Sequence, residues 1–115
     1  MAIGSWLYRY LAEAIVERNA LVPREKVALM NAEAKLAAFG PNLSHPHSSA
    51  VRGADRLREL RPRSGRSPWR ALYRQVGDEF VIAAVGPEAL VDARGFTSAC
   101  RRAEQRLADF ERERK

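Results

Sequence analysis

The chain of 115 residues holds a single cysteine, Cys100, so it can close no disulfide within itself and build no cysteine cage around zinc. That usage suits a reducing, cytoplasmic compartment. No apolar run approaches the roughly 18 residues that a membrane span needs, and no contact with a membrane is expected. The opening MAIGSWLYRYLAEAIVERN lacks the charged start and unbroken apolar block of a secretory leader, because Arg9 and Glu13 interrupt it. There is no internal repeat, no glycine-rich phosphate loop and no Ser/His/Asp pattern. Histidine is scarce as well. His45 and His47 lie two apart across Pro46 without a third ligand nearby, which reads as a polar loop and not as a zinc site. Neither a metal nor a small-molecule cofactor is expected. With these classes set aside, a single domain over residues 1–115 remains, able to bury a modest core.

What the chain has in excess is arginine, and in one place. The net charge is +6, and eight arginines (52, 56, 58, 61, 63, 66, 70 and 74) against Asp55 and Glu59 carry all of it, while the rest of the chain is neutral. No lysine stands in this segment. Arginine offers a planar fork that grips phosphate oxygens bidentately, so the segment points to a polyanionic partner. The alternative is a solubilising surface.

Hydrophobic spacing predicts a helix over residues 5–18, with Leu7, Leu11 and Ile15 on one side. Pro23 suits the first turn of a second helix, which Gly40 and Pro41 end. Val27, Met30, Ala34 and Ala37 mark one stripe, with Leu29, Leu36 and Phe39 beside it. Residues 41–55 read as a loop. Strands are expected over 56–61, 69–76 and 79–85, with Gly77-Asp78 as a two-residue hairpin turn. That turn sets Val76 opposite Glu79, Tyr73 opposite Ile82 and Ala71 opposite Ala84. Trp69, Ala71, Tyr73, Phe80, Ile82 and Ala84 then form the core face. Arg70 and Arg74 stand on the other, open face, over an apolar floor. A final helix carries Phe96, Cys100, Ala103, Leu107 and Phe110 at spacings of three and four, with Cys100 as a small buried residue and residues 111–115 as a frayed tail. The expected fold is α+β: a small antiparallel sheet of three strands, or four, packed on two N-terminal helices and one C-terminal helix.

Four short motifs stand in a telling order: Gly40-Pro41, Pro46-His47-Ser48, Leu57-Arg58-Glu59-Leu60-Arg61 and Arg70-Ala71-Leu72-Tyr73. In order and spacing they resemble the RelE/ParE toxin superfamily, and within it the HigB-like, phage-derived branch. The resemblance covers about residues 24–110 and implies a RelE-like fold. It implies the toxin of a type II toxin–antitoxin pair that cuts mRNA in the ribosomal A site. There the RNA's own 2′-hydroxyl attacks the adjacent phosphate without a metal. The implied partners are mRNA, the ribosome and a helix-turn-helix antitoxin. Arg70 would stabilise the cleaved phosphate, with Glu59, Arg61 and Arg74 beside it. Glu59 could act as a general base or pair with an arginine. Arg58, Arg63, Arg66 and Arg94 would bind RNA. Two features depart from the pattern. Relatives open with a strand where this chain reads as helix, and they carry a basic pair after the last strand, where this chain has Val85-Gly86-Pro87-Glu88. A RelE-fold protein that binds RNA or antitoxin without cleaving, and a ParE-like gyrase inhibitor, are the alternatives.

Overall fold

The chain begins, among the residues 5–114 that the computed structural model describes, with a strand and not a helix. The order is β1 (Leu7–Tyr10), α1 (Ala12–Asn19), α2 (Pro23–Phe39), β2 (Ser48–Ala50), β3 (Arg58–Leu60), β4 (Trp69–Val76), β5 (Glu79–Pro87) and α3 (Ala93–Glu113), with short 3-10 turns at Gly40–Asn42 and Pro62–Gly65. One five-stranded sheet runs β1-β5-β4-β3-β2. β1 lies parallel to β5 and the other pairs are antiparallel, so the sheet is mixed and larger than expected. The strand missing from the sequence reading is therefore present. Trp6, Tyr8 and Tyr10 favour strand, and pairing with β5 some seventy residues away outweighs the coincidental helical spacing. Residues 1–4 of the expected opening lie outside the described residues.

Both faces of the sheet are covered, where helices on one face were expected. On one face Leu21, Leu29, Ala32 and Leu36 pack against Ala71, Tyr73, Phe80, Ile82 and Val85, with Trp69 partly buried beside them. On the other, Ala99, Cys100, Ala103 and Leu107 of α3 pack against Leu72, Val81, Ala83 and Ala84. The α3 stripe is thus as its spacing predicts. The α2 stripe is only partly so: Val27 and Met30 are exposed, while Leu29 and Leu36, expected beside it, face inward with Ala28 and Ala32. Charged residues such as Glu25 and Glu33 are scattered among the apolar ones around α2, so spacing alone does not choose its buried side. Two buried acids on that side help to fix it. Glu33 receives Arg18 Nε (2.8 Å) and the hydroxyls of Tyr8 and Tyr10, and Glu25 receives Ser67 Oγ (2.8 Å) and Arg63 Nη2 (3.0 Å). Gly40 closes α2 with φ 53°, and the Trp6 ring occupies the space a Cβ would need.

The hairpin starts in the predicted register, with Val76 opposite Glu79 and Tyr73 opposite Ile82. It then shifts. Leu72 pairs with Ala84 and Ala71 with Val85, leaving Ala83 as an extra residue in β5. Ala84 therefore turns to α3 and Val85 takes its expected place in the other core. Beyond Ile82, β1 no longer supplies hydrogen-bond partners to β5. Glu17 of α1 takes over: its Oε1 accepts from Val85 N–H (3.0 Å), and Arg106, paired with Glu17 at 2.9 Å, donates to the Ala83 carbonyl (2.8 Å). The C-terminal turn of α3 is likewise joined to the sheet by ion pairs. Glu111 meets Arg74 (2.9 Å) and Arg114 meets Glu79 (2.7 Å), while Lys115 lies outside the described residues.

At Gly86, β5 and α3 approach closely. A Cβ there would fall 2.5 Å from the Ala99 Cβ. Gly86→Ala is expected to lower stability by about 1–3 kcal/mol through overpacking, read as a lower urea midpoint at unchanged slope. The Glu79 carboxylate accepts from Arg9 Nε and Arg114 Nη1 (both 2.7 Å), and these bonds hold it below its ordinary value of 4.5. Its contribution is present above that value and is lost as pH falls through the depressed one. Denaturation across acidic pH should show the native chain losing its advantage over Glu79→Gln only below the ordinary carboxylate range.

Candidate functional site

Alternation along β4 puts Arg70, Leu72 and Arg74 in one row, on the α3 side of the sheet. The row is roofed. Arg70 is 1% exposed and Arg74 7%, so the expected open arginine face is corrected. The cause is the apolar floor between them. Leu72, Val81, Ala83 and Ala84 give the α3 stripe its partner surface, and the arginines at its two ends are covered with it.

Burial without partners would be costly for a guanidinium, and Arg70 has a full set. Nε donates to Glu59 Oε1 (3.0 Å). Nη1 donates to the carbonyls of Ser67 (2.7 Å) and Trp69 (2.9 Å). Nη2 donates to the Gly65 carbonyl (3.2 Å) and to Glu88 Oε2 (2.8 Å). A guanidinium carries five N–H donors, and every one is committed within the chain. Desolvation and then the nearby Arg61 charge pull the Arg70 pKa down, while Glu59 and Glu88 push it back. Arg74 is held similarly, by the Asp55 carbonyl at Nε (3.1 Å) and Nη2 (2.8 Å) and by Glu111 at Nη1 (2.9 Å).

Glu59 joins Arg70 to a second arginine. Arg61 Nη1 lies 3.7 Å from the same Glu59 oxygen, Arg61 Nε donates to the Pro46 carbonyl (3.0 Å), and its guanidinium rests on Gly65. Arg61, Glu59, Arg70 and Glu88 thus form a row of alternating charge. Arg70 is its closed interior and Arg61, with 21% of its side chain exposed, is the reachable cation. Pairing, one of the two readings left open for Glu59, is its observed geometry.

The remaining predicted residues divide. Arg63 sits at φ 53° in the 62–65 turn, bonds Glu25 and leaves its buried Nε without a partner. Arg66 is exposed on the same loop, its Nε donating to the Arg63 carbonyl (3.1 Å). Arg94 is exposed in the first turn of α3, sharing a shallow recess with Thr97, Ser98 and Arg101, apart from the charge row. Arg58 pairs with Tyr73 across β3 and β4, and so belongs to the other face of the sheet. The Cys100 thiol is pushed up to about 11 by burial and by the Glu59 and Glu104 charges, as befits a packing residue. Among the described residues no cluster of three or more His, Cys, Asp or Glu could hold a metal ion, and no helix is long and apolar enough to cross a membrane.

Sequence reasoning missed Glu88 as a partner of Arg70. The signal was the departure itself: an acid where the resemblance leads one to expect a basic pair, two residues beyond Gly86, which pairs with Arg70 in the sheet. It also missed Glu17, whose role depends on a bulge no spacing reveals.

Comparison with solved structures defines the class as a RelE-like fold. The chain is similar to a protein in the RelBE2 toxin–antitoxin complex of Mycobacterium tuberculosis, at 20% identity and a TM-score of 0.57, over 73% of this chain and 99% of that one. It is similar also to one in the intact RelBE toxin–antitoxin complex of E. coli, at 14% identity and a TM-score of 0.56, over 72% of this chain and 96% of that one. No curated protein matches the sequence. Residues 17–86, more than half the chain, match the family described as phage derived protein Gp49-like (DUF891), and the chain belongs to that family. The resemblance to the phage-derived branch of the superfamily is borne out by this match and by the fold.

If Arg70 stood on an open face, its loss would leave the fold intact. The closed geometry predicts otherwise. Arg70→Met leaves Glu88 without its cation and Glu59 with only the 3.7 Å contact of Arg61, and should cost about 3–5 kcal/mol. Arg70→Lys, with three donors in place of five, should recover only part of that in chemical denaturation.

Proposed function

We propose that the chain is the toxin of a type II toxin–antitoxin pair and cleaves mRNA in the ribosomal A site. The observation that carries this reading is the reachable end of the charge row, where Arg61 stands beside a Glu59 fixed by Arg70, within a RelE-like fold whose whole excess charge lies at residues 52–74. In this reaction the 2′-oxygen of RNA bonds to the adjacent phosphorus and the bond to the 5′-oxygen breaks. The 2′-proton leaves to a base and the departing 5′-oxygen takes up a proton. The nucleophile belongs to the substrate, so the chain contributes positioning and charge. Arg61 would bind the scissile phosphate, and Glu59 beside it would accept the 2′-proton. Arg70 and Arg74 act as positioning residues, Arg70 by holding Glu59 and Arg74 by joining the Asp55 loop to α3. Arg63 and Arg66 on their loop would meet the RNA backbone, with Arg94 further out. A helix-turn-helix antitoxin is the expected protein partner, in keeping with the toxin–antitoxin complexes that share the fold.

A second reading has its own support. Arg70, the residue the resemblance makes catalytic, has no N–H left for phosphate, and Glu88 adds negative charge where relatives are basic. A protein of this fold that binds RNA or antitoxin without cutting would have this geometry. Expression without an antitoxin separates the two. The toxin reading predicts growth arrest and A-site cleavage, both lost in Arg61→Ala while that variant still unfolds in a single cooperative transition. Normal growth with salt-sensitive RNA retention would instead establish the second reading. Arrest with inhibited DNA supercoiling and intact mRNA would point to a gyrase poison.

A further inference from the structure

On the face of the sheet opposite the charge row, a cleft of about 470 Å³ opens at the hairpin end, between Pro41, the segment linking β2 to β3, and the β4–β5 turn. Its volume is within the range of about 300–1,000 Å³ typical of small-molecule sites. Pro41, Ala50, Ala54, Leu57 and Phe80 give it apolar walls. Its polar lining is limited to Arg56, Arg58, Tyr73 and Gln75, two of them cationic, and no carboxylate lines it.

Arg58 is the distinctive member. It is half-buried, yet among the described residues no carboxylate lies within salt-bridge distance of it. Every other buried or half-buried arginine in the described chain has one, Arg70 having two. Its Nε donates to Ser48 Oγ (3.0 Å), and neither terminal amino group has a partner among the described residues. Ser48 Oγ also lies 2.6 Å from the Tyr73 hydroxyl, and both residues are buried. If Ser48 donates in that pair, the Tyr73 O–H remains available to the cleft. Arg56 is held at φ 55°, a conformation uncommon for a side chain of this size, and from there it lines the same cleft. It meets Asp55 only at 3.5 Å and Glu111 at 3.9 Å, and 59% of its side chain is exposed.

We propose that this cleft is a binding site for a small oxyanion ligand, a phosphomonoester or carboxylate on an apolar body. Arg58 makes the bidentate contact, the Tyr73 hydroxyl donates a further bond, and Arg56 closes over the anion from the rim. The apolar walls hold the body of the ligand, and the Gln75 carbonyl oxygen, whose amide N–H bonds the Gly77 carbonyl (3.2 Å), is left to accept from it. The site is separate from the charge row and stands whether or not the chain cuts RNA.

The test is an NMR titration of the full chain with phenyl phosphate and with benzoate, using benzyl alcohol as the neutral control. At least one anion should bind saturably, moving the signals of Arg58, Tyr73 and Gly77, while benzyl alcohol does not. Whichever anion binds more tightly identifies the oxyanion. Arg58→Gln should weaken binding by about tenfold or more. Arg56→Gly should weaken it several-fold while the melting temperature holds or rises, because glycine relieves the left-handed backbone. That second variant gives the test a readout even if Arg58→Gln fails to fold. Equal response to the neutral control, no response to either anion, or undiminished anion binding in Arg56→Gly and Arg58→Gln would overturn the proposal.

Discussion

The buried guanidinium of Arg70 is the interaction on which the arrangement of this chain depends. Its five donors reach three segments: Glu59 on β3, the Gly65–Trp69 stretch that leads into β4, and Glu88 just past β5. No other side chain type could make these bonds at once, because five donors in a rigid plane belong to arginine alone. The loop before β4 folds back over the strand because its carbonyls have a common target. The acid after β5 lies where it does because the charge beneath α3 must be balanced.

A second constraint acts at the other end of α3. Past Ile82, β1 no longer partners β5, and Glu17 and Arg106 bond the Val85 N–H and the Ala83 carbonyl in its place. β1, α1 and α3 are thereby joined at one point of one strand. This explains how a four-residue edge strand can be held firmly. Its own ladder is short, but Glu17 in the helix that follows continues the bonding to β5. The α3 face of the sheet is consequently closed by charge at both ends and by apolar packing between them. The reachable arginines, Arg61 and Arg66 among them, are left at its margin.

Much of this was legible in the sequence, and the failures have physical causes. The hairpin, its turn, the α3 stripe, the helix stop at Gly40 and the family resemblance all follow from local spacing or short motifs. β1 was illegible because its four residues, LYRY, satisfy a helix and a strand equally, and only a distant partner decides between them. The α2 face was illegible because Val27 and Leu29 are equivalent as hydrophobes. The register error at Ala84 and Val85 follows from a single bulged residue, which inverts every later side chain. At the candidate site, strand alternation correctly put Arg70 and Arg74 on one side. It could not tell whether that side met water or a helix. The α3 stripe held part of the answer, since an apolar face that strong needs an apolar partner, and the floor between the two arginines was the available one.

The central claim is that Arg70 is a closed structural hub and that polyanions meet Arg61 and its neighbours. It is tested most directly by nitrogen-15 NMR of the arginine side chains. The Arg70 guanidinium should show slow rotation and slow solvent exchange, and its signals should stay in place when a short RNA is added, while those of Arg61 move. A rapidly exchanging Arg70 guanidinium whose signals shift with RNA would contradict the account.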